Sequence, residues 1–69
     1  MKKIVITSEY ITLGQFLKFT AIISSGAMAK HYLAENTVYV NGEIETRRGR
    51  KLYENDQIEV ENEKYVIGK

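Results

Sequence analysis

Midway along the chain the hydrophobic period changes, and this change dictates which architectures are open to it. Up to Asn36 apolar residues recur at spacings of three and four, and from Thr37 onward they alternate with polar ones. A helix-patterned half followed by a strand-patterned half predicts an α+β fold, with helices packed against a small antiparallel sheet. In 69 residues there is no room for a second core. No linker, repeat or low-complexity tract interrupts the pattern, so residues 1–69 are read as a single domain.

The helical half is punctuated clearly. Residues 3–7 are β-branched and short, and predict a first strand. Thr12-Leu13-Gly14-Gln15 then matches a capping box, with Ile11 and Phe16 at the two positions of a hydrophobic staple. A helix is therefore expected from Leu13, carrying Leu13, Phe16, Leu17 and Thr20, although Gly14 in its first turn lowers the propensity. Ser24-Ser25-Gly26 supplies a second N-cap signal. Beyond it Met28, Ala29, Tyr32 and Leu33 share one side of a helix, and Ala27, Lys30, His31 and Ala34 the other. Asn36 stands where a helix would end in the left-handed region.

In the second half Val38 and Val40 alternate with Thr37 and Tyr39, and Asn41-Gly42 is a strong hairpin signal. Residues 43–46 return from that hairpin and a basic loop follows. Glu54-Asn55-Asp56 marks a turn, residues 57–61 a strand, Asn62-Glu63 a further turn and residues 64–68 a last strand.

Composition removes several function classes. The chain has no Cys, so neither disulfides nor thiolate ligands hold it together, and one histidine cannot build a His-rich metal site. No cofactor or small-molecule substrate is expected, and a chain of this size hardly has material to wall a catalytic cleft, which argues against an enzyme. Met-Lys-Lys is followed by only three strongly apolar residues, Ile4, Val5 and Ile6. That run is far short of a signal peptide or a membrane span, so a cytoplasmic protein without a membrane partner is expected.

The net charge of +1 hides a strong internal polarity. Arg47, Arg48, Arg50 and Lys51 place four cations in five positions around Gly49, whereas residues 54–63 hold five acids and no cation. Guanidiniums on a short loop match phosphate oxygens bidentately. The competing reading is a solvated loop whose cations pair with those later acids. Lys30 and His31 on the outer face of the second helix, flanked by small residues and close to Ser25 and Gly26, would add a flat cationic surface.

Taken in order, Ser25-Gly26-Ala27-Met28-Ala29-Lys30, then Leu33, Glu35 and Asn36, then Val38-Tyr39-Val40-Asn41-Gly42, then Glu54-Asn55-Asp56-Gln57-Ile58-Glu59-Val60, resemble the S4 RNA-binding domain. Thr-Leu-Gly-Gln-Phe-Leu-Lys, Met-Ala-Lys and Arg-Arg-Gly-Arg-Lys-Leu are most similar to its small stand-alone bacterial members, called YaaA-like. The resemblance implies the S4-type fold, also called the alpha-L motif: two short helices on a small antiparallel sheet. Gly26, Thr12 and Leu13 depart from the charged residues that many members carry there, which moves weight to Lys30 and the basic loop. The expected RNA-binding residues are Lys18, Ser25, Gly26, Lys30, His31, Asn41, Arg47, Arg48, Arg50 and Lys51.

What the resemblance implies is a monomer that binds structured RNA, specifically ribosomal RNA or a ribosomal particle, with a role in assembly or maturation of the large subunit. Phe16 and Tyr32 read as core, and Tyr10, Tyr39 and Tyr53 as amphipathic sheet or loop residues, so recognition of RNA shape is expected rather than base stacking. The alternative is a protein-interaction adaptor that docks a basic partner on its acidic late strands.

Overall fold

The computed structural model describes residues 1–69. In chain order the elements are β1 (Lys2–Val5), β2 (Tyr10–Thr12), α1 (Leu13–Phe19), a 3-10 turn (Gly26–Met28), α2 (Ala29–Glu35), β3 (Tyr39–Val40), β4 (Glu43–Ile44), β5 (Lys51–Tyr53), β6 (Gln57–Val60) and β7 (Glu63–Gly68). Five strands form one sheet in the order β1-β7-β6-β3-β4, and β2 pairs with β5 in a separate ribbon. The α+β expectation stands, with one correction to the sheet. It is mixed, because β1 runs parallel to β7 with Lys2 opposite Tyr65 and Val5 opposite Gly68.

Helix α1 begins as the capping box requires. Thr12 is extended, its Oγ1 accepts from the Gln15 N–H at 3.2 Å, and its own N–H donates to Gln15 Oε1 at 2.8 Å. Leu13, Phe16 and Leu17 are completely buried, each removing apolar surface worth roughly 1.5–3 kcal/mol from water. The Phe16 ring meets Tyr65 of β7 edge-on at 5.2 Å, which ties the helix to the sheet. Ala29 and Leu33 of α2, Val38 just before β3, Val40 within it, Leu52 of β5, and Ile6, Ile23, Ile58, Val60 and Ile67 complete one core.

The helix ends differ from expectation. Asn36 is extended at φ −131°, ψ 144°, and caps α2 by donating its side-chain amide to the Tyr32 carbonyl at 3.1 Å. A left-handed residue that the sequence pattern does not signal ends α1: Ala21, φ 63°, lies just beyond it. There the Ala21 N–H donates to the Lys18 carbonyl and the Ile22 N–H to the Leu17 carbonyl, both at 3.0 Å, the paired bonds of a Schellman ending. Ser25 precedes the 3-10 turn but makes no capping bond with its side chain.

The turns follow their local chemistry. Asn41 and Gly42 both have positive φ, as a two-residue hairpin between Val40 and Glu43 needs. The last hairpin turns one residue earlier than its sequence suggests, on Glu61 and Asn62 at φ 52° and 63°, so Glu63 already pairs with Val60. Asn55 takes φ 75° in the turn between β5 and β6.

Candidate nucleic-acid interface

The basic loop, residues 46–50, leaves the sheet beside a buried acid. Glu45 is only 6% exposed and accepts five hydrogen bonds. Its Oε2 takes the Thr46 and Arg47 N–H groups at 3.1 and 3.0 Å and Arg47 Nε at 3.0 Å. Its Oε1 takes Arg47 Nη2 at 3.1 Å and Arg50 Nη1 at 2.8 Å. The bonds from Arg47 are the main reason that this carboxyl titrates far below its ordinary range, lowered from 4.5 to about 2, with Arg50 adding to them and burial opposing. The loop's ion pairs are therefore made with Glu45 and not with the acids of residues 54–63.

A carboxylate holding two guanidiniums leaves a surplus positive charge, and the surplus faces water. The Arg47 side chain remains 72% exposed while that of Arg50 is 32% exposed. Arg48, whose side chain is in no ion pair, is exposed at the loop's tip beside Gly49. Lys51 opens β5 with its Nζ 5.0 Å from the Tyr10 ring centroid, and Tyr10 in turn lies 5.6 Å from Tyr53.

The loop is stitched to α1 through the backbone. The Leu13 N–H donates to the Arg50 carbonyl at 2.8 Å and the Gly14 N–H to the Arg48 carbonyl at 2.9 Å. These bonds, with the Thr12 cap, satisfy the first three N–H groups of the helix, so the end of α1 is occupied by the loop rather than open to an anion. Gly14 is where the segments meet: a Cβ there would touch Ala29 Cβ and the Arg48 carbonyl oxygen, each at 3.4 Å, a close but ordinary contact. Three segments distant in sequence thus converge at one glycine. Between them lies an open cleft of about 300 Å³ lined by Gly14, Gln15, Gly26, Ala29, Arg48 and Gly49.

Around this cleft the expected residues separate into groups. Gly26 and Arg48 line it, Ser25 precedes it, and Lys30 and His31 follow Ala29 on the exposed face of α2. Lys18 is exposed one helical turn beyond Gly14 on the same side of α1. Arg47 and Arg50 are bound to Glu45 and do not line the cleft. Asn41 has a different occupation. Its amide donates to Asp56 Oδ1 at 3.1 Å and its carbonyl oxygen accepts from the Gln57 N–H at 2.9 Å, so both ends of the side chain clamp the hairpin to β6.

Several of the late acids also have structural work. Asp56 receives the Tyr53 N–H at 2.7 Å as well as Asn41, Glu61 accepts from the Tyr32 hydroxyl at 2.5 Å, and Glu63 lies 3.8 Å from Lys2 Nζ. Sequence reasoning did not single out Glu45, and it treated Gly14 only as a weak helix former. The one available signal for Glu45 was an acid placed two residues before a run of arginines at the end of a returning strand.

Comparison with known proteins places the geometry in context. A family model described as the S4 domain matches residues 4–68. Over 56 residues the chain is 57% identical to a Bacillus subtilis (strain 168) protein named probable ribosome maturation protein RlbA, an alignment that covers 81% of this chain and 79% of that protein.

Proposed function

The chain belongs to the S4 RNA-binding domain family, and from that premise we propose that it is a non-catalytic module that seats the phosphate backbone of structured ribosomal RNA and serves maturation of the large ribosomal subunit. One observation carries the reading: folding brings the Arg48 loop, the start of the second helix and the first turn of α1 together at Gly14, with a cleft between them. Arg48 lines the cleft, Lys30 and Lys18 are exposed on the two helices beside it, and none of the three is in an internal ion pair. Arg47 and Arg50 hold the loop in shape and add their remaining donors. The ribosomal partner is supported by the name of the Bacillus subtilis relative.

In a fluorescence titration against ribosomal RNA fragments, log affinity should fall against log salt with a slope of roughly −2 to −4, as expected for about four phosphate contacts. Lys30→Glu with Arg48→Glu should weaken binding at least tenfold and flatten that slope, whereas Glu54→Lys with Glu59→Lys should preserve it. In lysate the protein should sediment with large-subunit precursors on a sucrose gradient. A salt-independent affinity, or the reverse response to the two charge reversals, would instead assign the surface to a protein partner.

A further inference from the structure

A second cleft opens on the other side of Gln15. It has a volume of about 460 Å³ and is lined by Val5, Thr7, Ser8, Ile11, Gln15 and Phe19 among others. Two of its walls are apolar side chains that the fold leaves in water: Phe19, the last residue of α1, is 66% exposed, and Val5, the last of β1, is 55% exposed. The remaining wall is polar. Gln15 Oε1 is taken by the Thr12 N–H, but its Nε2 donors have no partner within the chain, and Ser8 Oγ donates to the Tyr10 carbonyl while keeping its acceptor capacity. A ring face beside an amide and hydroxyls is the arrangement that a nucleobase, with a flat π surface and a hydrogen-bonding edge, can fill.

Continuity selects the occupant. Gln15 lines both this cleft and the one beside Arg48 at Gly14, so the two adjoin on the surface. Lys18, immediately before Phe19 in α1, is exposed at the same end of the helix. We propose that this cleft receives one unpaired nucleobase of the bound RNA, stacked on Phe19 with its edge toward Gln15, Ser8 and Thr7 and its phosphate next to Lys18. The proposal rests on the RNA-binding reading above and adds to it a site for a single extruded nucleotide. It also supplies the base contact that the aromatic pattern of the sequence does not suggest, because Phe19 falls outside the buried stripe of its helix.

The test uses the full chain and two RNA hairpins that are identical except for one bulged nucleotide. Wild type should prefer the bulged hairpin, and Phe19→Ala should remove that preference by about 5- to 150-fold, the span of ~1–3 kcal/mol measured per stacked base. The salt slope should stay unchanged in Phe19→Ala, because no phosphate contact is lost. Phe19→Trp should retain the preference, which excludes a merely structural effect, and thermal melts should show both variants folded. Arg48→Glu should instead weaken both hairpins alike and lower the slope. If Phe19→Ala binds both hairpins as wild type does while Arg48→Glu is impaired, the nucleobase site is overturned and the RNA-binding reading stands. If wild type binds neither hairpin, that reading fails and this proposal with it. Loss of an extended peptide's binding in Phe19→Ala, with RNA binding intact, would assign the cleft to protein and overturn the proposal equally.

Discussion

At the scale of single residues, two positions have measurable consequences. Glu45 has its pKa depressed in the folded state, so its contribution to stability is fully present above its unfolded value of 4.5 and is lost as pH falls through about 2. Much of the Arg47 partner lies in water, which screens the interaction, so a contribution of about 2 kcal/mol is a reasonable scale. Thermal melts followed by circular dichroism should therefore show wild type losing stability between pH 4.5 and 2 more steeply than Glu45→Gln. At neutral pH the variant should melt lower and present a looser basic loop. Ala21 is the opposite case. An alanine at φ 63° holds a conformation that costs an L-residue roughly 1–2 kcal/mol, and the position is exposed. Ala21→Gly should raise stability by about 1 kcal/mol, reduced slightly by the greater freedom of glycine in the unfolded chain, and increase Tm by ~5 °C.

Among the elements, those set by neighbours in sequence were legible and those set by distant partners were not. The capping box of α1, Ala29 and Leu33 on the buried side of α2 and the Asn41-Gly42 hairpin are local, and each stands where its residues indicate, whereas Met28, read on that same side, lies in the 3-10 turn and is exposed. β2 escaped notice because three residues, Tyr10–Thr12, carry no resolvable period and are extended only by pairing with β5. A left-handed exit was expected at Asn36 for the second helix, but Asn36 is extended and closes α2 with its side-chain amide, whereas α1 has a left-handed exit at Ala21 that residue preference does not signal. The candidate site divides in the same way. Its cations could be read from composition, but the role of Gly14 depends on Ala29 and Arg48 arriving from elsewhere, and the role of Glu45 on being covered. Charge clusters reveal that a surface is cationic; they do not reveal which cations already have partners.

The molecule as a whole is closed by the pairing of β1 with β7, its earliest and latest strands. That pairing buries Ile6, with its N–H donating to the Gly68 carbonyl at 2.8 Å, and it covers what would otherwise be a free edge of β7. Removal of residues 1–6 should lower Tm by at least ~10 °C, since the lost burial and ladder bonds amount to several kcal/mol in a domain this small. The exposed β7 edge should make the shortened protein self-associate, which light scattering would detect. The full chain under the same conditions should remain clear.

The order of strands in the sheet also bears on when the fold can exist during synthesis. The strand that joins β1 to β6, β7, is the last of the seven to be translated, so both helices and the basic loop emerge from the exit tunnel before the layer that supports them is complete. A nascent chain therefore exposes its cations while still unfolded, and the ordered arrangement of those charges arises only once β7 has emerged.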